Sequence, residues 1–222
     1  VNGREVEIPK DLWYFRVIFA DSAKEAEEVF RRLYGPEPTK IRIMLPFDEI
    51  DRCWEAWLEA YTAGRMIARS DGERVMYQVN DEGEILVLNG TGRNGVTVPH
   101  PIDNIAGHDY KGAAVEFEPV GRLRVILPEL QRAAYLLVNT TSKHDIINIT
   151  SQLQAISALA DGKLRGVPLI LARTPKEIST PSGKKRVRRV KHLLSIEADP
   201  AWVQAKLSQM RRLSMPEITV NG

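Results

Sequence analysis

A single cysteine, Cys53, stands among 222 residues. No internal disulfide can form, and zinc sites built from several thiolates are excluded. Cysteine this scarce predicts a reducing, cytoplasmic setting and a small buried thiol. Long apolar runs are also missing. None approaches the roughly 18–20 residues a membrane helix needs, and residues 1–10 are polar and charged, unlike a secretory signal. The chain is therefore expected to have no membrane partner. There is no G-x-x-x-x-G-K-[ST] loop and no G-x-G-x-x-G, so no known signature cradles a nucleotide phosphate. The glycine-rich run at 90–95 lies between predicted strands, where it reads as a flexible loop. Repeats of 20–50 residues and low-complexity blocks are absent.

What remains is an ordinary soluble balance, 43% hydrophobic and 27% charged, on a chain long enough to bury a real core. The net charge of +2 hides an asymmetry. Residues 1–120 carry 14 Lys and Arg against 22 Asp and Glu, a balance of −8, and residues 121–222 carry 17 against 7, a balance of +10. Such a split suits a polarised surface that meets a polyanion on one side or stacks head to tail.

Taken in order, residues 11–20 have the aromatic and β-branched content of a strand. Ser22 and Glu25 have capping-box spacing before an apolar stripe of Ala23, Ala26, Val29, Phe30 and Leu33, and Gly35-Pro36 stops that helix. With a strand at 40–46, this predicts a strand–helix–strand start. Residues 48–67 place Ile50, Trp54, Trp57, Leu58 and Tyr61 on one helical face and predict the clearest helix of the chain. Hairpins are expected at 74–89, around Asp81-Glu82-Gly83, and at 113–127, turning at Val120-Gly121. Between them, residues 90–112 predict a long loop with one short strand at 95–99. A turn or short helix at 128–131 and a strand at 134–140 follow. Ser142 and Asp145 cap a helix whose buried side is Ile146, Ile149, Leu153 and Ile156, ended by Gly162. Apolar runs at 167–172 and 187–196 read as two strands flanking a long solvated connection. Asp199-Pro200 starts a last helix with Trp202, Val203, Leu207 and Met210 on its apolar side. The expected fold is α+β: a mixed, largely antiparallel sheet with about four helices packed mainly on one face, in a single domain over 1–213. A seam is possible in the 90–112 loop, and residues 214–222 form a frayed tail.

Six of the eight residues from 184 to 191 are basic. On a strand, Arg186 and Arg188 share one face, and Arg189 and Lys191 the other. Lys184 and Lys185 sit in the adjoining loop, and Arg173, Lys176 and Arg165 from the neighbouring run can join the patch. Lys and Arg at this density suit phosphate or an acidic protein surface. The bland alternatives are an edge strand guarded by charge and a solubilised loop. No aromatic residue interrupts the run, which argues against a stacking platform for single strands. His100, Asp103 and His108 share a loop and are metal-ligand types, but their spacing matches no known motif. Glu116 and Glu118 have strand spacing, and a solvated face is their simplest reading. No catalytic set, metal or cofactor is expected.

Three blocks carry a resemblance. Residues 40–73 read KIRIMLPFDEIDRCWEAWLEAYTAGRMIARSDGE. Residues 121–159 contain LPEL and TTSKHDIINIT. Residues 164–203 contain LRGVPLIL, RTPKEISTP and LLSIEADPAWV. Together they resemble the recombination directionality factors of phages and mobile elements, which partner large serine integrases. The resemblance implies a non-enzymatic protein that binds a serine integrase on DNA and biases it from integration towards excision. The matching positions are structural, so no binding residue carries over. Beside this stand two other classes: a nucleic-acid-binding filament or annealing protein, in which the charge split supports self-association, and a metal-dependent hydrolase using the 100–108 loop or Glu116 and Glu118.

Overall fold

Extended backbone dominates a computed structural model that describes residues 12–19, 23–62, 65–79, 85–86, 96–99, 116–132, 135–182 and 185–214. Among these, four helices are α1 (Lys24–Tyr34), α2 (Ile50–Cys53), α3 (Lys143–Leu159) and α4 (Pro200–Ser214). The strands are β1 (Lys40–Ile43), β2 (Trp54–Thr62), β3 (Arg65–Ser70), β4 (Arg74–Val79), β5 (Ile85–Leu86), β6 (Val96–Pro99), β7 (Glu118–Val125), β8 (Leu136–Thr140), β9 (Leu169–Ser182) and β10 (Lys185–Ala198). The larger sheet runs β5-β4-β3-β2-β7-β8, with β6 also on β4, and the smaller runs β1-β9-β10. Every pairing between these strands is antiparallel. The α+β fold expected from the sequence is the fold observed.

The two sheets meet where β1 and β7 run on into a two-way bridge. Met44 N–H donates to the Ile126 carbonyl at 2.9 Å, and Ile126 N–H donates to that of Met44 at 2.8 Å. Ile41, Ile43, Leu169, Leu171, Leu194 and Ile196 of the small sheet share one core with Trp54, Leu123 and Val125 of the large one. Ile149, Leu153 and Ile156 of α3 complete it, as their helical spacing predicts. Each such fully buried aliphatic side chain is worth about 1.5–3 kcal/mol relative to exposure.

Four expectations are corrected. Residues 12–19 do alternate, with Phe15 buried and Ile18 exposed, but they form no strand. Among the described residues their backbone is tied by Phe15 N–H to the Pro38 carbonyl at 2.8 Å, so an alternating pattern without a neighbouring strand makes an extended segment only. In α1, Ala23 takes the N-cap position without a side-chain bond, Leu33 faces outwards, and Ser22 lies outside the described residues. Gly35 does end this helix, at φ +77.

The third correction is the largest. Among the described residues of 48–67, one helical turn, α2, occurs at Ile50–Cys53, and residues 54–62 and 65–67 belong to β2 and β3. Tyr61, on the expected buried stripe, is exposed, whereas Glu59 is fully buried. Glu59 stands opposite Arg69 of β3, and Arg122 reaches it from β7. Arg122 lies 63 residues away in sequence, so local periodicity could not show it. Trp, Tyr and Thr also favour strands.

Fourth, β7 runs straight through Val120-Gly121, where a turn was expected. Gly121 is there for space: a Cβ added to it would collide with the Trp54 ring. The Trp54 indole N–H donates to Thr150 Oγ1 at 2.9 Å, which fixes the ring between β7 and α3. The β4–β5 pairing and strand β6 agree with expectation, while their connecting turns lie outside the described residues. Cys53 is buried, its thiol donating to the Phe47 carbonyl at 3.3 Å, and burial raises its pKa.

Candidate functional site

Where a long solvated connection was expected between 172 and 187, the described residues 173–182 and 185–186 are strand instead. β9 and β10 pair without a register break from Leu169↔Ala198 to Ser182↔Lys185. Only the base of this hairpin is covered. β1 pairs with β9 from Leu169 to Ala172, and Arg173 N–H donates to the Thr39 carbonyl at 2.8 Å. On the other edge, α3 closes β10: Leu194 N–H donates to Asp145 Oδ1 at 3.0 Å, and Ile196 N–H to Gln152 Oε1 at 2.7 Å. Beyond that base the ribbon is an arm. Thr174–Glu177, Ser179 and Arg186–Lys191 are exposed. Ile178, opposite Arg189, and Leu193, opposite Thr174, are covered, apart from the core cluster.

The two prolines explain why this stretch read as a loop. In an antiparallel pair, alternate residues turn their N–H and C=O away from the partner strand. Arg173 turns its N–H towards β1, so Pro175, Glu177, Ser179 and Pro181 face the same way. Their side is the open edge of β9, where a missing N–H removes no ladder bond.

The register sorts the predicted cations. On one face lie Arg186 and Arg188, opposite Pro181 and Ser179. Arg188 pairs with Glu177 at 3.2 Å, both well exposed, a pair worth little in water. Arg186 donates to Ser179 Oγ at 2.9 Å and to its carbonyl at 2.8 Å. On the other face lie Arg189, Lys191 and Lys176. Lys191 stands directly opposite Lys176, a like-charge pair that costs stability. Among the described residues no carboxylate pairs with any of these three.

Arg173 sits elsewhere. Its guanidinium lies 5.5 Å from the Phe15 ring centre and donates to the Leu12 carbonyl at 2.7 Å, at the base of the arm. Arg165 is also basal, its N–H held by Asp48 at 2.9 Å. Lys185 pairs its backbone with Ser182, and its side chain and Lys184 lie outside the described residues. The sequence reading missed the arm itself. Its signal was two prolines at even spacing, which suits a strand edge as well as a loop.

Other chemistry is sparse. Among the described residues, one depression of about 360 Å³ lies beside Met44, and another of about 310 Å³ lies beside Trp202, where Lys206 pairs with Asp161 at 3.4 Å. Among the described residues no three His, Cys, Asp or Glu side chains could hold a metal ion. Glu116 and Glu118 are exposed, and His100, Asp103 and His108 lie outside the described residues. No described helix is long and apolar enough to cross a membrane.

The strongest polar cluster is structural. Glu59 accepts two bonds from Arg122 at 2.7 Å each, one from Arg69 Nε at 3.0 Å and one from the Tyr61 hydroxyl at 2.6 Å. Burial pushes its carboxyl up, but the bonds from Arg122 and Tyr61 and the charges of Arg122 and Arg69 outweigh this and hold its pKa at about 2. Every oxygen is satisfied inside the sheet, so the cluster ties β2, β3 and β7 together.

No curated protein and no solved structure matches the chain. A family model does, over residues 1–201, which takes in the segment before residue 40 that the three resembling blocks left out. That family, an accessory class and not a catalytic one, is described as Gp3-like, recombination directionality factor-like, and the chain belongs to it.

Proposed function

We propose that this protein is the accessory factor of a phage or mobile-element DNA recombination system, binding a serine integrase on DNA and biasing it towards excision. The observation that carries the reading is the basic arm, on a chain of this family. Arg186, Arg188, Arg189, Lys191 and Lys176 stand clear of the core, and the face with Lys176 and Lys191 carries repulsion that an incoming anion relieves. Control of this kind is a population shift. To move a partner from almost wholly one state to almost wholly the other, the factor must prefer the second by roughly 5.5 kcal/mol. Several charge contacts made in only one state of the integrase–DNA complex supply a difference of that size.

The test is recombination in vitro with the serine integrase encoded in the same element. The protein is expected to switch on recombination between the two hybrid sites of the integrated element. Joint replacement of Arg186, Arg188 and Arg189 by Ala should lower that stimulation roughly tenfold or more while leaving the melting temperature unchanged. Equal integration and excision with and without the protein would sink the proposal.

A further inference from the structure

The two long edges of the arm are built differently. On β9, the outward positions are Pro175, Glu177, Ser179 and Pro181. Two lack an N–H, and the Ser179 carbonyl is taken by Arg186. A strand cannot add there without leaving polar groups unpaired. On β10, the bonds of Leu194 and Ile196 to α3 fix which residues face outwards, so Arg186, Arg188, Val190 and His192 do too. Among the described residues nothing bonds to the outward N–H groups of Arg188, Val190 and His192. The base of this edge is capped by Asp145 and Gln152; the distal part is left open, and Val190 is 63% exposed.

We propose that the open edge of β10, from Arg186 to His192, takes up an extended acidic segment of a protein partner by strand addition. Main-chain bonds supply affinity in this mode, and alternate side chains supply selectivity. A strand laid along β10 places its side chains beside Arg186 and Arg188 on one face and beside Arg189 and Lys191 on the other. Glu or Asp on either face of the incoming strand therefore meets a cation, and opposite charges across strands stabilise. A basic segment is repelled on both faces. Duplex DNA would use the cationic side chains and leave the edge amides in water. The inference rests on the arm being the contact surface, and it specifies which part of the arm is used and by what.

Residue-resolved amide hydrogen exchange on the whole protein tests it. The probe is a synthetic peptide of repeated Glu-Val-Glu triplets, with its Lys-Val-Lys counterpart and a short DNA duplex as separate arms. The acidic peptide is expected to slow exchange at Arg188, Val190 and His192 roughly tenfold or more, because these amides gain bonds on addition. Val187, Arg189 and Lys191, which already face β9, should change little. Val190→Pro removes one outward N–H and no charge, and should abolish the slowing in a protein that melts at the wild-type temperature. Peptide binding without slowing at the three outward amides would overturn the inference, as would no binding at ~1 mM peptide. Slowing by duplex DNA alone would also overturn it. None of these results bears on the recombination assay, whose failure is read separately.

Discussion

The Asp145 carboxylate accepts the backbone N–H of Leu194 at 3.0 Å with one oxygen and the Thr140 hydroxyl at 2.8 Å with the other. One side chain in the first turn of α3 thus closes the edge of β10 and pins the end of β8. Ser142 caps the same helix by accepting Asp145 N–H at 3.3 Å. The sequence spacing of Ser142 and Asp145 is that of a capping box, but Asp145 turns its carboxylate to other strands. Asp145→Ala leaves a buried N–H and a hydroxyl without their acceptor, and should cost about 2–4 kcal/mol. Chemical denaturation of the two proteins measures it. A loss below about 0.5 kcal/mol would show that water replaces the carboxylate.

Glu59 gives a pH signature. Its folded pKa of about 2 lies below its ordinary 4.5, so it contributes stability that is complete above about pH 4.5 and is lost as pH falls through about 2. Glu59→Gln leaves Arg122 and Arg69 without their counter-charge and should destabilise the fold by about 3–5 kcal/mol at neutral pH. The difference between variant and wild type should shrink on acidification. A difference that stays constant from pH 6 to pH 2, followed by urea unfolding, contradicts this account.

Gly121→Ala sets a methyl group against the Trp54 ring and should cost about 1–3 kcal/mol. Trp54→Leu removes the obstacle at a cost of its own. The double variant should therefore be more stable than the sum of the two single losses predicts, by about 1 kcal/mol or more in a thermodynamic cycle. Simple additivity would show that the glycine is needed for something other than space.

Pro175 and Pro181 keep the β9 edge from pairing. Replacing both with Thr restores two outward N–H groups next to β-favouring side chains. The expected outcome is concentration-dependent self-association, seen as a rising apparent mass in sedimentation, without loss of the fold. A monomer at every concentration would mean that the cations alone protect this edge.

Where the fold was legible, the deciding contacts were local or the periodicity was unambiguous. Ile149, Leu153 and Ile156 announced α3, Asp199-Pro200 announced α4, and the apolar run at 187–196 announced β10. Asp199 does hold the N–H groups of Ala201 and Trp202 at 2.9 and 3.4 Å. Where it was not legible, a distant partner decided. Trp54, Trp57 and Tyr61 fit a helix by spacing, yet Gly121 and Arg122, more than sixty residues on, draw them into a sheet. The same holds for the candidate site. The basic run was plain in the sequence, but the register that separates Arg186 and Arg188 from Arg189 and Lys191 depends on β9. The edge that is open depends on where α3 and β1 stop.

The length of the hairpin has an electrostatic consequence. At about 3.3 Å per residue, the stretch from Arg173 to Ser182 carries the far cations roughly 30 Å along the ribbon from the last tie to β1. Mobile ions at physiological strength erase a charge's influence within about 8 Å. The carboxylates at the base of the arm, Asp145 and Glu197, are thereby muted beside Arg186. The reach of the arm acts as insulation, letting its far cations meet an anion as if the acids at its base were not there.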